Sequence, residues 1–213
     1  MIEICTIKLR MSSHFSILFY LIGYFSLSSQ LNAQHDLAKS DINKPNFLFV
    51  LVDDQPFDAV GFSGRYPFLE TPNIDRLHKE GAHVENFFVT QSICSPSRAS
   101  FLTGTYPHIH GVNQNNKHVD PKWDAFAPFS THLQSAGYQT AHVGKIHMAH
   151  HRGKNHIRPG FDYWFSFIGQ GKYFDPQVNE NGKEYQVKGY MTDILTDKAI
   201  DWLKEKRVAN KPF

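Results

Sequence analysis

Cysteine is almost missing from this chain: its 213 residues hold two, Cys5 and Cys94. That excludes a disulfide-stapled fold. Neither sign of charge is in excess. A formal net charge of +2 with 20% charged residues leaves no basic stripe to suit nucleic acid or an anionic membrane surface, and no nucleic-acid partner is expected. Internal repeats, low-complexity tracts and evident linkers are absent too, which argues against solenoids and disordered arms. No apolar run reaches the roughly 20 residues that a membrane helix needs. What is there is a globular composition, 41% hydrophobic, enough for one sizeable domain or part of a larger one. Histidine is plentiful: the chain has 13, and His142, His147, His150, His151 and His156 crowd one stretch.

The N-terminus reads differently from the rest. Lys8 and Arg10 precede the apolar stretch "FSILFYLIGYFSL", and polar residues follow up to Ala33. This layout predicts a secretory signal peptide over residues 1–33, cut after Ala33, with a mature part over residues 34–213. A retained membrane anchor is the alternative. Cys5 lies before the apolar stretch, so a lipoprotein attachment site is not indicated. The expectation is an exported protein, periplasmic or secreted, handled by the export machinery. Cys5 then leaves with the signal, and Cys94 has no partner within the chain. It is either a buried small hydrophobe or a residue kept for its reactivity.

"KPNFLFVLVDDQ", Lys44 to Gln55, runs through six apolar residues and stops at Asp53 and Asp54. It predicts a strand buried on both faces, of the parallel-sheet kind. "TPNIDRLHKEG" predicts a helix with Thr71 as N-cap, Pro72 at the first position and Gly81 as terminator. "AHVENFFVT" reads as a second strand, which sets Cys94 just past a strand end. "SPSRASFLTG" predicts a short helix with Ser95 as N-cap, Pro96 at the first position and Gly104 closing it. "STHLQSAGYQTAHVGKIH" predicts a helix and a strand turning at Gly137, with Lys145 and His147 at the strand's end. A hairpin is expected at Asn181-Gly182. "TDILTDKAIDWLKEKR" reads as an amphipathic helix with Ile194, Leu195, Ala199, Ile200, Trp202 and Leu203 on one stripe. Strands alternating with helices predict an α/β fold, a mainly parallel sheet flanked by helices.

Three strand ends thus carry Asp53/Asp54, Cys94/Arg98 and Lys145/His147, and ligands of open α/β sheets bind beyond such ends. Two adjacent carboxylates suit a hard cation, calcium or magnesium, or simply end a strand and open a turn. Calcium takes roughly 6–8 oxygens, so two aspartates do not complete a site. Cys94 lies at the mouth of a helix whose free N–H groups attract anions. The rigid fork of Arg98 suits a tetrahedral oxyanion such as sulfate or phosphate. Lys145 adds a mobile cation and His147 a proton carrier. These residues describe an oxyanion site on a metal without saying which oxyanion. Ser97 and Thr103 read as turn and packing residues. His150, His151 and His156 read as a solvated basic loop rather than a metal cluster.

"CSPSRASFLTG" has the pattern Cys-x-Pro-x-Arg followed by Leu-Thr-Gly, and it resembles the signature of the type I sulfatases, of the alkaline phosphatase superfamily. "FVLVDDQ", "TPNIDRLHKEG", "TYPHIHGV" and "VGKIH" resemble that family's other landmarks in the same order, from about Lys44 to Phe213. "GFDYWFSFIGQGKYFDP" is similar to the bacterial branch of N-acetylglucosamine-6-sulfatases and mucin-desulfating enzymes. The resemblance implies an alkaline phosphatase/sulfatase-like fold and a calcium-dependent sulfuric ester hydrolase acting on a sulfated glycan or amino sugar. It also implies that a formylglycine-generating enzyme reads Cys-x-Pro-x-Arg and oxidises Cys94 to formylglycine. The hydrated aldehyde would attack sulfur with one hydroxyl, and deprotonation of the other would expel sulfate and restore the aldehyde.

By the same resemblance, Asp53, Asp54 and modified Cys94 are calcium ligands. Arg98 pins the formylglycine, Lys145 bridges it to a sulfate oxygen, and His147 helps deprotonate the second hydroxyl. His108 and His110 fall in a structural turn of the family. Type I sulfatases are considerably longer, and "NKPF" resembles the start of their next buried strand. Further calcium ligands, a histidine and a lysine belong to later parts of such chains. The expected product is therefore an N-terminal portion of the catalytic domain, incomplete at the C-terminus. A phosphonate or phosphodiester hydrolase of the same superfamily, or an inactive fragment, is the alternative.

Overall fold

In the computed structural model, residues 44–116 and 118–213 are described. The expected signal peptide, its basic residues Lys8 and Arg10, Cys5 and the cut after Ala33 lie outside them. Residues 45–213 form one compact unit. Among the described residues, no helix is long and apolar enough to cross a membrane.

Among the described residues, five α-helices and four strands follow in order: α1 (Pro72–Glu80), α2 (Cys94–Thr103), α3 (Pro107–His110), α4 (Phe129–Ser135), β1 (Ala141–Lys145), β2 (Tyr163–Phe167), β3 (Gln177–Glu180), β4 (Lys183–Gln186) and α5 (Met191–Asp201). The last continues through a π-helical turn, Trp202–Lys206. β1 and β2 pair in parallel, with Ala141 opposite Tyr163 and Lys145 opposite Phe167. β3 runs antiparallel to β2 and β4 antiparallel to β3, giving the order β1-β2-β3-β4. The fold is α/β with a mixed sheet, whose parallel part is the β1–β2 pair. The hairpin turns at Asn181 and Gly182 as expected, with φ of 49° and 89°, the left-handed conformation that Asn-Gly adopts readily.

β2 is buried along its whole length, and its alternation divides the core. Trp164 joins Ala99, Leu102, Val112, Ile146 and Met148 on the face covered by α2. Tyr163 and Phe165 join Val178, Ile194 and Trp202 on the face covered by α5. Burying each such apolar side chain contributes about 1.5–3 kcal/mol relative to exposure. On the predicted α5 stripe, Ile200 departs: it is exposed. Between the α5 face and the hairpin, Glu180 accepts from Tyr163 Oη at 2.6 Å, Lys206 Nζ at 3.1 Å and Lys198 Nζ at 3.2 Å, and also from the Tyr185 hydroxyl.

Two expected strands do not form. Residues 45–52 have no ladder among the described residues, and Phe47 to Val52 are 37–72% exposed. A strand needs a neighbour to take its N–H and C=O groups. Here one backbone bond is made, Phe47 N to Phe213 O at 2.7 Å. The segment instead lies across the helices, with the Phe49 ring 5.4 Å from that of Phe101 and 6.3 Å from that of Phe129. The second, residues 82–90, also lacks a ladder; Val84, Phe87, Phe88 and Val89 are exposed. Apolar β-formers set a tendency, and pairing decides whether it is realised.

Candidate active site

α2 begins two residues earlier than its sequence suggests. Ile93 is the N-cap, with φ −131° and ψ 139°, and Cys94 is the first helical residue. Pro96 then falls at the third position, where its missing N–H would have had no helical partner anyway. Gly104 ends the helix with φ 65°, as expected. The free N–H groups of the first turn therefore surround Cys94 itself. One of them is taken: Ser95 N donates to Asn115 Oδ1 at 3.0 Å, a cap brought from a distant loop. Ser95 Oγ also donates to the carbonyl of His147. Arg98 Nη1 donates to the carbonyl of Lys145 at 2.9 Å. These two contacts fasten α2 to the end of β1 and set its residues beside those that follow the strand.

The candidates converge. Donor atoms of Asp53, Asp54 and Cys94 all lie within 4.8 Å of one another. Lys145 Nζ ion-pairs with Asp53 Oδ2 and sits 3.7 Å from Cys94 Sγ. Arg98 Nη2 is 3.7 Å from Asp53 Oδ1, and Cys94 Sγ is 3.8 Å from the same oxygen. Cys94 is a free, half-buried cysteine, not the fully buried hydrophobe that composition left open. The two cations are well sheltered, their side chains 9% and 11% exposed. Asp54 and His147 hold φ of 56° and 53°, left-handed values that cost a non-glycine residue about 1–3 kcal/mol and gather at functional sites.

Electrostatics follow from this crowding. Burial pushes the Asp53 carboxyl up, but Lys145, Arg98 and Cys94 more than offset it, and the net shift is below its ordinary value. Burial lowers the Arg98 guanidinium, opposed chiefly by Asp53. Burial, then Lys145, Arg98 and His150, lower His147. The imidazole is therefore neutral at neutral pH and able to accept a proton. Its Nδ1 is buried with no hydrogen-bond partner among the described residues. Asn115, Asn116, His147 and His150 line a hollow of about 220 Å³ next to this cluster.

The sulfatase family model matches residues 45–213. The chain belongs to the sulfatase family. Over 206 residues it is 38% identical to N-acetylglucosamine-6-O-sulfatase of Bacteroides thetaiotaomicron, covering 95% of this chain and 34% of that relative. A solved protein in complex with its substrate D-glucosamine-2-N,6-O-disulfate superposes with a TM-score of 0.70 at 39% identity, over 80% of this chain and 33% of that one. Ps i-CgsB in complex with k-i-k-neocarrahexaose superposes with a TM-score of 0.72 at 29% identity, over 80% of this chain and 43% of that one. The chain spans about a third of the length of the curated Bacteroides relative.

Several residues near the cluster were not singled out by sequence. Gln170 Oε1 accepts from Lys145 Nζ. It follows β2 between Gly169 and Gly171, and its position at the end of a parallel strand beside β1 was the available signal. Asn115 and Asn116 come from a loop with no pattern to mark them, and His150 was read only as part of a solvated loop. The expected solvated histidine loop holds for His150 and His151, which are exposed, and is corrected for His156. His156 is fully buried, with Nδ1 3.0 Å from the His151 carbonyl and its ring edge-on to Trp164. His151 Nε2 pairs with Asp120 at 2.9 Å. Buried Arg158 spans Asp120 and the carbonyls of Met148 and His156, so the His156–Arg158 end of the segment is folded around an ion pair. His110 is structural: its Nδ1 accepts from Val112 N at 3.1 Å, which leaves Nε2–H to donate to Ser100 Oγ at 3.1 Å. Thr103 bonds Ala99 O at 2.8 Å within its own helix.

Proposed function

We propose that this chain carries the nucleophile-bearing part of an exported sulfuric ester hydrolase that removes sulfate from sulfated amino sugars. One observation carries the reading. Asp53, Asp54, Cys94, Arg98 and Lys145, scattered over 93 positions of sequence, meet at the N-terminus of one helix. The glycan class rests on the relative named N-acetylglucosamine-6-O-sulfatase and on the complex with D-glucosamine-2-N,6-O-disulfate.

Calcium fits the donor set as far as it goes. Two hard carboxylates and residue 94 lie close enough to share one ion, while the ion's roughly 6–8 oxygens require further ligands. When bound there, calcium supplies positive charge that polarises a sulfate oxygen. The chain's own residues supply the rest. Formylglycine at position 94, once water has added to its aldehyde to give the gem-diol, would provide the attacking hydroxyl at the positive end of α2. Arg98, fixed by the Lys145 carbonyl, offers a permanent charge toward residue 94. Lys145 reaches across residue 94 to hold a sulfate oxygen. His147, neutral at neutral pH, takes the proton whose removal releases sulfate.

Mass spectrometry of the Cys94 peptide from the native host tests the first element. The expected result is loss of the thiol and gain of an aldehyde; an unmodified thiol in the mature protein overturns the mechanism. Activity of the enzyme in its native form on a 6-sulfated glucosamine, beside a phosphodiester and with and without a calcium chelator, tests the reaction. Hydrolysis of the sulfate ester alone, abolished by the chelator, is expected.

A further inference from the structure

Building on the sulfatase reading, we infer that Gln170 is a positioning residue that aims the Lys145 ammonium at residue 94 while leaving its charge intact. An ammonium has three N–H donors and sits on a flexible four-carbon stem. Each donor of Lys145 has a partner: Asp53 Oδ2 on one side, Gln170 Oε1 on the other, and Cys94 Sγ between, at 3.7 Å. The two oxygen anchors differ in kind. Asp53 is a candidate metal ligand, so its charge is shared with whatever cation it holds. Gln170 is neutral, and its grip on Lys145 persists in either case. A carboxylate at this position would hold the ammonium equally well but cancel the charge that draws a sulfate oxygen.

The backbone is built to deliver this amide. Lys145 and Phe167 are register partners at the ends of two parallel strands, so the chain leaving β2 emerges beside Lys145. Gly169 and Gly171 flank Gln170 with φ of 63° and 73°. A Cβ on Gly171 would lie 2.6 Å from the Phe167 ring, so the elbow turns tightly against the strand end. Its far side is tied down by Met191 N, which donates to Tyr173 O at 2.7 Å. Gln170 is itself exposed, and its Nε2 makes no hydrogen bond among the described residues. It is thus free to meet a ligand oxygen.

The test uses the full chain with isotope-labelled lysine and follows the Lys145 Nζ–H signal by NMR, assigned by its loss in Lys145→Met. In the wild type this signal is expected to exchange slowly with water. Gln170→Met, similar in length but without the acceptor, should speed exchange by about tenfold or more, as the loss of a hydrogen bond to a charged group implies. Gln170→Glu should keep the slow signal yet bind inorganic sulfate about tenfold more weakly, since it adds an opposing charge. Gln170→Asn, too short to reach, serves as the second acceptor deletion if Gln170→Met disturbs the amide spectrum of β1 and β2. Slow exchange that survives in both acceptor deletions overturns the proposal. So does unchanged sulfate affinity in Gln170→Glu. Sulfate that leaves the wild-type signal unmoved counts against the sulfatase reading instead, and the exchange rates still decide the role of Gln170.

Discussion

Replacing Glu180 by Gln measures how firmly α5 is tied to the sheet. Four donors meet on this carboxylate: the hydroxyls of Tyr163 and Tyr185 and the ammonium groups of Lys198 and Lys206. Burial works against its ionisation, but the donors more than offset that and hold the carboxyl at about 2, against an ordinary 4.5. A difference of that size corresponds to about 3 kcal/mol at neutral pH. The lysine side chains are 25% and 41% exposed, so water screens both pairs. We therefore expect Glu180→Gln to cost about 1–2 kcal/mol. The folded pKa lies below the unfolded one. The contribution is thus fully present above 4.5 and lost as pH falls toward about 2. Urea unfolding of wild type and variant, repeated from neutral pH downward while both remain folded, should show the difference shrinking through that window. A difference that stays constant with pH would refute the charge-based account, and no difference at neutral pH would refute the tether itself.

Two further perturbations bear on the site's surroundings. Burial holds the fully enclosed His156 neutral down to about 4, from 6.5. The unfolded chain takes up that proton first, so stability should fall by up to about 3 kcal/mol as pH drops through this range; urea midpoints should follow that slope, and His156→Leu should flatten it. Asn115→Ala removes the side chain that caps Ser95 N, and should lower stability by about 1 kcal/mol in chemical denaturation.

Much of this protein was legible in its residues because local chemistry suffices for it. Thr71, Pro72 and Gly81 bound α1 where expected, since capping and proline placement are decided within a turn. Asn181-Gly182 made its hairpin for the same reason. The cluster at Asp53, Cys94, Arg98 and Lys145 was readable from the residue types in the Asp53-Asp54 pair, the Cys-x-Pro-x-Arg run and the end of β1, although the strands expected before Asp53 and Cys94 do not form. Tertiary structure alone decided the rest. Phe47 to Val52 have the composition of a buried strand yet lack a ladder, because hydrogen-bond partners are a property of neighbours and not of a segment. His156 became a buried histidine by packing against Trp164, beside an Arg158–Asp120 pair whose Asp120 comes from a distant loop. Gln170 gained its place at Lys145 only through the parallel register of β1 and β2, a relation between two strands that neither sequence contains.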